Sequence, residues 1–275
     1  MVNFSSQMNG VFTIAEIGLN HNGDLKSALA HVEAAKKCGC DAVKFQTYIT
    51  EKRIQDPASP LRPLLKKLEL TYGEFEEIKH FSDELGIEFF STAFDIEAID
   101  FLSGLGVDLF KVASFDTSNS ELFDALLGKA NRLIFSTGMT EIETISNLIE
   151  KVNPHVEALG VLHCVSSYPT PADKARLANI EFLAAAFQNA VIGYSDHTQG
   201  ILAPSVAVGM GARIIEKHFK VLDHYECVDA PVSIGPELMT KMVVDINRSY
   251  EMLGEPFFGV SDLETDATVF KRKAL

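Results

Sequence analysis

VFTIAEIGLNHNGDLKSALAHVEAAKKCGCDAVKFQTY, residues 11–48, holds a complete strand–helix–strand unit. Residues 11–18 and 41–46 are short runs rich in Val, Ile and Phe. Between them Leu25, Ala28, Leu29, Val32 and Ala35 recur at helical spacing and form one apolar stripe. Such a unit joins two parallel strands through a helix that covers the sheet.

The same alternation continues along the chain, with further strands near 87–92, 107–112, 132–136, 158–163, 191–195 and 213–218, which makes eight. Phe75, Ile78, Phe81 and Leu85 form a second helical stripe. Thr140 and Glu143 have capping-box spacing ahead of Ile142, Ile145, Leu148, Ile149 and Val152, so a helix is expected to start there. Eight strand–helix units in 275 residues predict an α/β fold, a (β/α)8 TIM barrel, as a single domain over residues 1–255. Residues 256–275 lose periodicity and end in a basic cluster, so they read as a short C-terminal extension, a linker or capping segment. An open doubly wound sheet would carry a glycine-rich phosphate turn, and no GxGxxG occurs.

Hydrophobic residues at 47% against 23% charged supply a large core. The net charge of −14 repels nucleic acid and anionic membranes, so neither is expected as a partner, and an anionic small substrate would need local lysines. Cys38, Cys40, Cys164 and Cys227 lack CxxC spacing and read as buried free thiols suited to a reducing compartment. The first residues lack the basic and apolar regions of a signal peptide, and no apolar run reaches membrane-spanning length. A soluble cytoplasmic protein is the expectation.

In a barrel the carboxyl ends of the strands converge on one mouth. Standing there are Glu16, Lys44 with Gln46, Thr92, Lys111 with Ser114, Ser136, His163, Ser195 with His197, and Glu216 with His218. One polar strand end is commonplace; eight together carry more weight. Strand alternation puts Lys44 with Gln46, Ser195 with His197, and Glu216 with His218 on shared faces. His197 and His218 close neighbouring strands, which brings two imidazoles within reach of one divalent ion, with Mn2+, Zn2+ and Fe2+ all suited by ligand type. The competing reading is that each histidine only hydrogen-bonds at the rim. His163 and His21 read as structural. Lys44 and Lys111, with Thr92, Ser114, Ser136 and Ser195, could cradle a phosphate and a carboxylate. Alternatively, each lysine pairs with a rim carboxylate such as Glu16 or Glu216, or a desolvated lysine forms a Schiff base.

At these residues the chain resembles the sialic acid synthase family, which includes legionaminate, pseudaminate and spore-coat polysaccharide synthases. The matching motifs are AEIGLNHNGD (15–24), DAVKFQTY (41–48), FFSTAFD (89–95), KVAS (111–114), STGM (136–139), HCVSSYPTP (163–171), GYSDHTQG (193–200) and EKHF (216–219), in family order over almost the whole chain. The resemblance implies an N-acetylneuraminate synthase-like transferase. Its reaction would condense phosphoenolpyruvate with an N-acylated, N-acetylmannosamine-like hexosamine, giving a nine-carbon 2-keto sugar acid and phosphate. It also implies Mn2+ or Mg2+ on His197 and His218, and phosphoenolpyruvate held by Lys44, Thr92, Lys111, Ser114, Ser136 and Ser195. Glu16 would be the general base or water-orienting group, and Gln46, Asp116, Tyr168 and Asp229 would stand beside the sugar.

Some positions depart from the family pattern. CVDAPVS replaces a usual Gly-Pro-Asp turn while keeping Asp229 and Ser233, Ala93 follows Thr92 where proline is usual, and Asp116 stands where glutamate is common. Family members typically form domain-swapped homodimers and continue into an antifreeze-protein-like domain that lends an arginine to the partner's acceptor site. This chain stops at KRKAL, so such a domain is expected from another chain, or the acceptor differs, or the protein is shortened. Two other readings stand beside the synthase: a Schiff-base aldolase using Lys44 or Lys111, and a catalytically silent barrel that binds phosphoenolpyruvate or a sugar in a glycan pathway.

Overall fold

A computed structural model describes residues 4–222 and 225–272. Eight parallel strands, β1 (Phe12–Gly18), β2 (Ala42–Thr47), β3 (Glu88–Ala93), β4 (Leu109–Val112), β5 (Arg132–Ser136), β6 (Ala158–His163), β7 (Val191–Asp196) and β8 (Ile214–His218), pair in chain order. β1 also pairs with β8, which closes the barrel. Each strand read from the sequence is present, within two residues at either end.

The helices cover the outside. α1 (Leu25–Lys37) follows β1; α2 (Thr50–Arg53), α3 (Leu61–Leu68) and α4 (Tyr72–Leu85) follow β2. α5 (Ile96–Gly104), α6 (Ser120–Leu126), α7 (Ile142–Val152), α8 (Ala178–Ala186) and α9 (Leu202–Gly209) follow the next five strands, and α10 (Pro236–Leu253) completes the ring after β8. The expected stripes face inward: Ala28, Val32 and Ala35 of α1 and Phe75 and Ile78 of α4 are buried, with Leu25, Leu29, Phe81 and Leu85 packed at the edge of the same core.

Side chains satisfy the free N–H groups of several helix starts, a contribution of about 1 kcal/mol each. Asp24 accepts from Ser27 N at 2.7 Å, Asp95 from Ala98 N at 2.9 Å, and Thr71 forms a full capping box with Glu74. The capping box expected at Thr140 and Glu143 is absent. Glu141 takes the cap position of α7 without a side-chain bond, because the Thr140 hydroxyl is engaged by the Gly138 carbonyl and by Thr117 Oγ1 at 2.9 Å.

A small second cluster of Leu19, Tyr48, Leu65 and Leu68, with Ile54 and Phe94 against it, fastens α2 and α3 to the mouth side of the barrel. Tyr48 donates to the Leu65 carbonyl at 3.0 Å, and Glu69 accepts from Thr50 N at 2.8 Å. Cys38, Cys40 and Cys164 are buried free thiols as expected, but Cys227 is only half-buried because it lies on the loop after β8. Residues 255–272 form short turns and are exposed except for the half-buried Ser261. Among the described residues, no helix is long and apolar enough to cross a membrane.

Candidate active site

Parallel register sets the strand-end residues side by side. Glu16 stands opposite Lys44 on one flank and His218 on the other. Thr92 stands between Gln46 and Lys111, and Ser195 is opposite Glu216. All of these but Gln46 are buried, and Gln46 is half-buried. They surround a cavity of about 230 Å³ at the carboxyl ends of the strands.

Its floor is a four-charge cluster. Lys44 Nζ lies 2.8 Å from Glu16 Oε2 and 3.6 Å from Glu216 Oε2, and Lys111 Nζ lies 3.8 Å from Glu216 Oε2. Hydroxyls complete it: Lys111 donates to Ser136 Oγ at 2.6 Å, Ser195 to Glu216 Oε1 at 2.8 Å, and Lys44 to Thr92 Oγ1 at 3.3 Å. Gln46 Nε2 donates to Glu16 Oε1 at 3.4 Å. Ser114 Oγ accepts from Gly138 N at 2.9 Å and contacts Cys164 Sγ. The lysines therefore pair with Glu16 and Glu216, and they do so inside a hydroxyl-lined cavity.

The two carboxylates differ in environment. Burial pushes the Glu16 carboxyl up, and Lys44 only partly opposes it. Burial also acts on Glu216, but Lys111 and Lys44 outweigh it and hold that carboxyl at about 2. Lys44 is subject to burial too, yet its carboxylate partners raise its pKa, which keeps the amine protonated and unsuited to attack a carbonyl. Burial lowers Lys111 despite the attraction of Glu216.

The histidines meet at the same mouth, with ring centroids 5.6 Å apart. His197 donates Nδ1–H to the Val165 carbonyl at 2.8 Å, which leaves the Nε2 lone pair available, and burial followed by repulsion from His218 lowers its pKa to about 4. His218 Nδ1 is buried without a hydrogen bond among the described residues and lies 3.5 Å from Asp229 Oδ2. Two neutral-capable imidazoles beside carboxylates suit a divalent ion by donor type. Among the described residues no three His, Cys, Asp or Glu side chains cage an ion by themselves. Tyr168 packs its ring 4.1 Å from that of His197.

Of the residues given a catalytic, substrate-binding or metal-binding role from the sequence, all but Asp116 line this cavity. Asp116 ends the short turn Ser114–Asp116 beyond β4, and it faces an adjoining groove instead. His163 donates Nε2–H to the Ala175 carbonyl at 2.8 Å, outside the cluster, and His21 Nδ1 accepts from Gly23 N in the first loop. Sequence reasoning missed Arg53, Phe94 and Phe115 in the walls. Arg53 was invisible to a search of strand ends because it sits on α2; its signal was a basic residue close after the KFQT strand. A larger cavity of about 700 Å³ between α7 and α8 shares Cys164 with this one but contains none of the charged cluster.

A model of the NeuB family matches residues 31–257. The chain is 41% identical to an uncharacterized protein of Methanocaldococcus jannaschii, over 96% of this chain and 78% of that one. It is 38% identical to the N,N'-diacetyllegionaminic acid synthase of Legionella pneumophila, over 96% of this chain and 79% of that one. Among solved structures, the N-acetylneuraminic acid synthetase of Leptospira borgpetersenii in complex with citrate superposes with a TM-score of 0.92 at 33% identity, covering 98% of this chain and 96% of that one.

Proposed function

The chain belongs to the NeuB family, and from that premise we propose that it condenses phosphoenolpyruvate with an N-acylated hexosamine to a nine-carbon 2-keto sugar acid and phosphate. The observation that carries this reading is the pair of buried ammonium groups, Lys44 and Lys111, set among the hydroxyls of Thr92, Ser136 and Ser195. Phosphoenolpyruvate presents two anionic groups on a three-carbon frame, and charge-assisted hydrogen bonds from such a floor fit both.

Lys111, Ser114, Ser136 and Ser195 hold the phosphate, and Lys44 with Thr92 holds the carboxylate side. Enol carbon C3 then attacks the aldehyde carbon of the open-chain sugar, and the aldehyde oxygen takes a proton from solvent. Water adds to the electron-poor C2 and gives its proton to Glu16, whose proton affinity is raised by burial. The tetrahedral carbon collapses to the ketone by breaking the C–O bond to phosphate, and its hydroxyl proton passes to the departing phosphate. Lys111 stabilises the charge that gathers on the departing group. Glu216, held ionised, fixes both lysines in place. Gln46, Tyr168 and Asp229 orient the sugar. His197 and His218 would hold the divalent ion, Mn2+ or Mg2+, which supplies Lewis-acid polarisation of the aldehyde oxygen when bound.

The test is phosphate release from phosphoenolpyruvate with a panel of N-acylhexosamines and Mn2+. The expected result is acceptor-dependent release that falls about a hundredfold or more in Lys111→Ala. No release with any acceptor contradicts the reading. A borohydride-trapped pyruvate adduct on Lys111 would replace it with the aldolase.

A further inference from the structure

Each histidine at the mouth follows a charged residue that the cavity does not use. Asp196 precedes His197 at the end of β7, and Lys217 precedes His218 at the end of β8. Side chains alternate along a strand, so where Ser195, Glu216 and His218 face the cavity, Asp196 and Lys217 face away from it. Register sets the two directly opposite each other. Lys217 Nζ lies 2.8 Å from Asp196 Oδ2, and neither side chain has any exposed surface.

The pair also grips the backbone on the far side of His197. Asp196 Oδ1 accepts from Thr198 N at 2.8 Å and from the Tyr194 hydroxyl at 3.1 Å, while Lys217 Nζ donates to the Thr198 carbonyl. His197 is thus bracketed by two residues, Asp196 and Thr198, that are both tied to the residue preceding His218. A second set of bonds fixes the ring and its own backbone. The Val165 carbonyl accepts from His197 Nδ1 at 2.8 Å and from Thr170 Oγ1 at 3.2 Å, and Thr170 N donates to the His197 carbonyl at 2.9 Å.

A buried ion pair is a poor source of stability, because desolvating two charges offsets most of their attraction; apolar residues of like volume commonly serve as well. What this pair supplies is direction. Two imidazoles from different strands serve one ion only if their rings are held to within about 0.5 Å, and rotamers fixed from behind by hydrogen bonds do that.

We propose that Asp196 and Lys217 are positioning residues for the ion site: their pair locks the end of β7 to the end of β8 so that His197 and His218 reach one divalent ion. The inference rests on the ion reading of the two histidines, and it gives neither residue a contact with ion or substrate.

The experiment titrates substrate-free protein with Mn2+, following free Mn2+ by its electron paramagnetic resonance signal, beside the kinetics of the condensation. In Asp196→Leu/Lys217→Met both charges give way to apolar groups of similar size, so thermal unfolding is expected to stay close to that of the parent. The Kd for Mn2+ is expected to rise about 10–100-fold. The kcat falls at limiting Mn2+ and recovers in excess Mn2+, while the KM for phosphoenolpyruvate holds. Parental Mn2+ affinity in the folded double variant overturns the inference, and so does a weakened affinity matched by an equal rise in the phosphoenolpyruvate KM, the mark of a general distortion. If the double variant does not fold, Asp196→Asn, which keeps the shape and the Oδ1 contacts, decides by the same titration: a weakened Mn2+ affinity supports the inference and a parental one overturns it. His197→Ala identifies the titrated site. Mn2+ binding that survives it, or none in the parent, removes the ion site and this inference together, and phosphate release then judges the condensation by itself.

Discussion

The imidazole of His31 has no exposed surface; its Nδ1–H is donated to the Ser27 carbonyl at 2.7 Å, and the edges of Phe219 and Tyr225 surround the ring. Among the described residues Nε2 has no hydrogen-bond partner, so a second proton would be a buried charge without a partner there, and burial lowers the pKa from 6.5 to about 4. Between those values the unfolded chain binds a proton that the folded one refuses. The contribution is therefore fully present above pH 6.5 and is lost as pH falls toward 4, by about 3 kcal/mol in all. Urea unfolding at pH 7 and pH 4 is expected to show a smaller acid loss in His31→Gln than in the parent, by an amount of that order. Parallel losses in the two proteins would contradict this. The same physics separates Glu16 from Glu216: identical side chains on adjacent strands, one pushed up by burial and the other held near 2 by two lysines.

α4 starts where Thr71 Oγ1 accepts from Glu74 N at 3.3 Å and Glu74 Oε2 accepts from Thr71 N at 2.7 Å. Removing the hydroxyl in Thr71→Ala is expected to cost about 1 kcal/mol in chemical denaturation. A change below a few tenths would mean that water caps the helix equally well. Thr140 has the same spacing to its glutamate and makes no cap, so the motif alone does not decide a helix start; a competing partner for the hydroxyl does. That contrast marks what was legible in the chain. Strand ends were, because a period of two and the polar end of each strand specify both position and facing, and register then brings Glu16, Lys44 and His218 together. Residues off the strands were not. Arg53 depends on how α2 is fastened by Tyr48 and Glu69, and Asp116 on a turn that breaks the alternation after β4.

Barrel closure is what makes these scattered groups one site, and it depends on tight filling of the interior. A Cβ on Gly193 would lie 2.5 Å from Leu162 Cδ2 and 2.6 Å from both Ile214 Cβ and the Ile214 carbonyl oxygen. Backbone cannot yield cheaply there, so Gly193→Ala is expected to cost about 1–3 kcal/mol or more and to lower activity by shifting β7 against β8. Gly104, where a Cβ meets nothing within 4 Å, serves as the control, and its replacement by Ala should be neutral or mildly stabilising. Equal effects at the two positions would refute the packing argument. The central claim, that Lys44, Lys111 and Glu16 gather at one mouth to add water to C2 and expel phosphate by C–O cleavage, is tested most directly by running the condensation in H2¹⁸O and reading the phosphate by ³¹P NMR. The account predicts phosphate free of solvent ¹⁸O, formed only when the acceptor sugar is present; phosphate carrying one ¹⁸O, the mark of P–O cleavage, would contradict it.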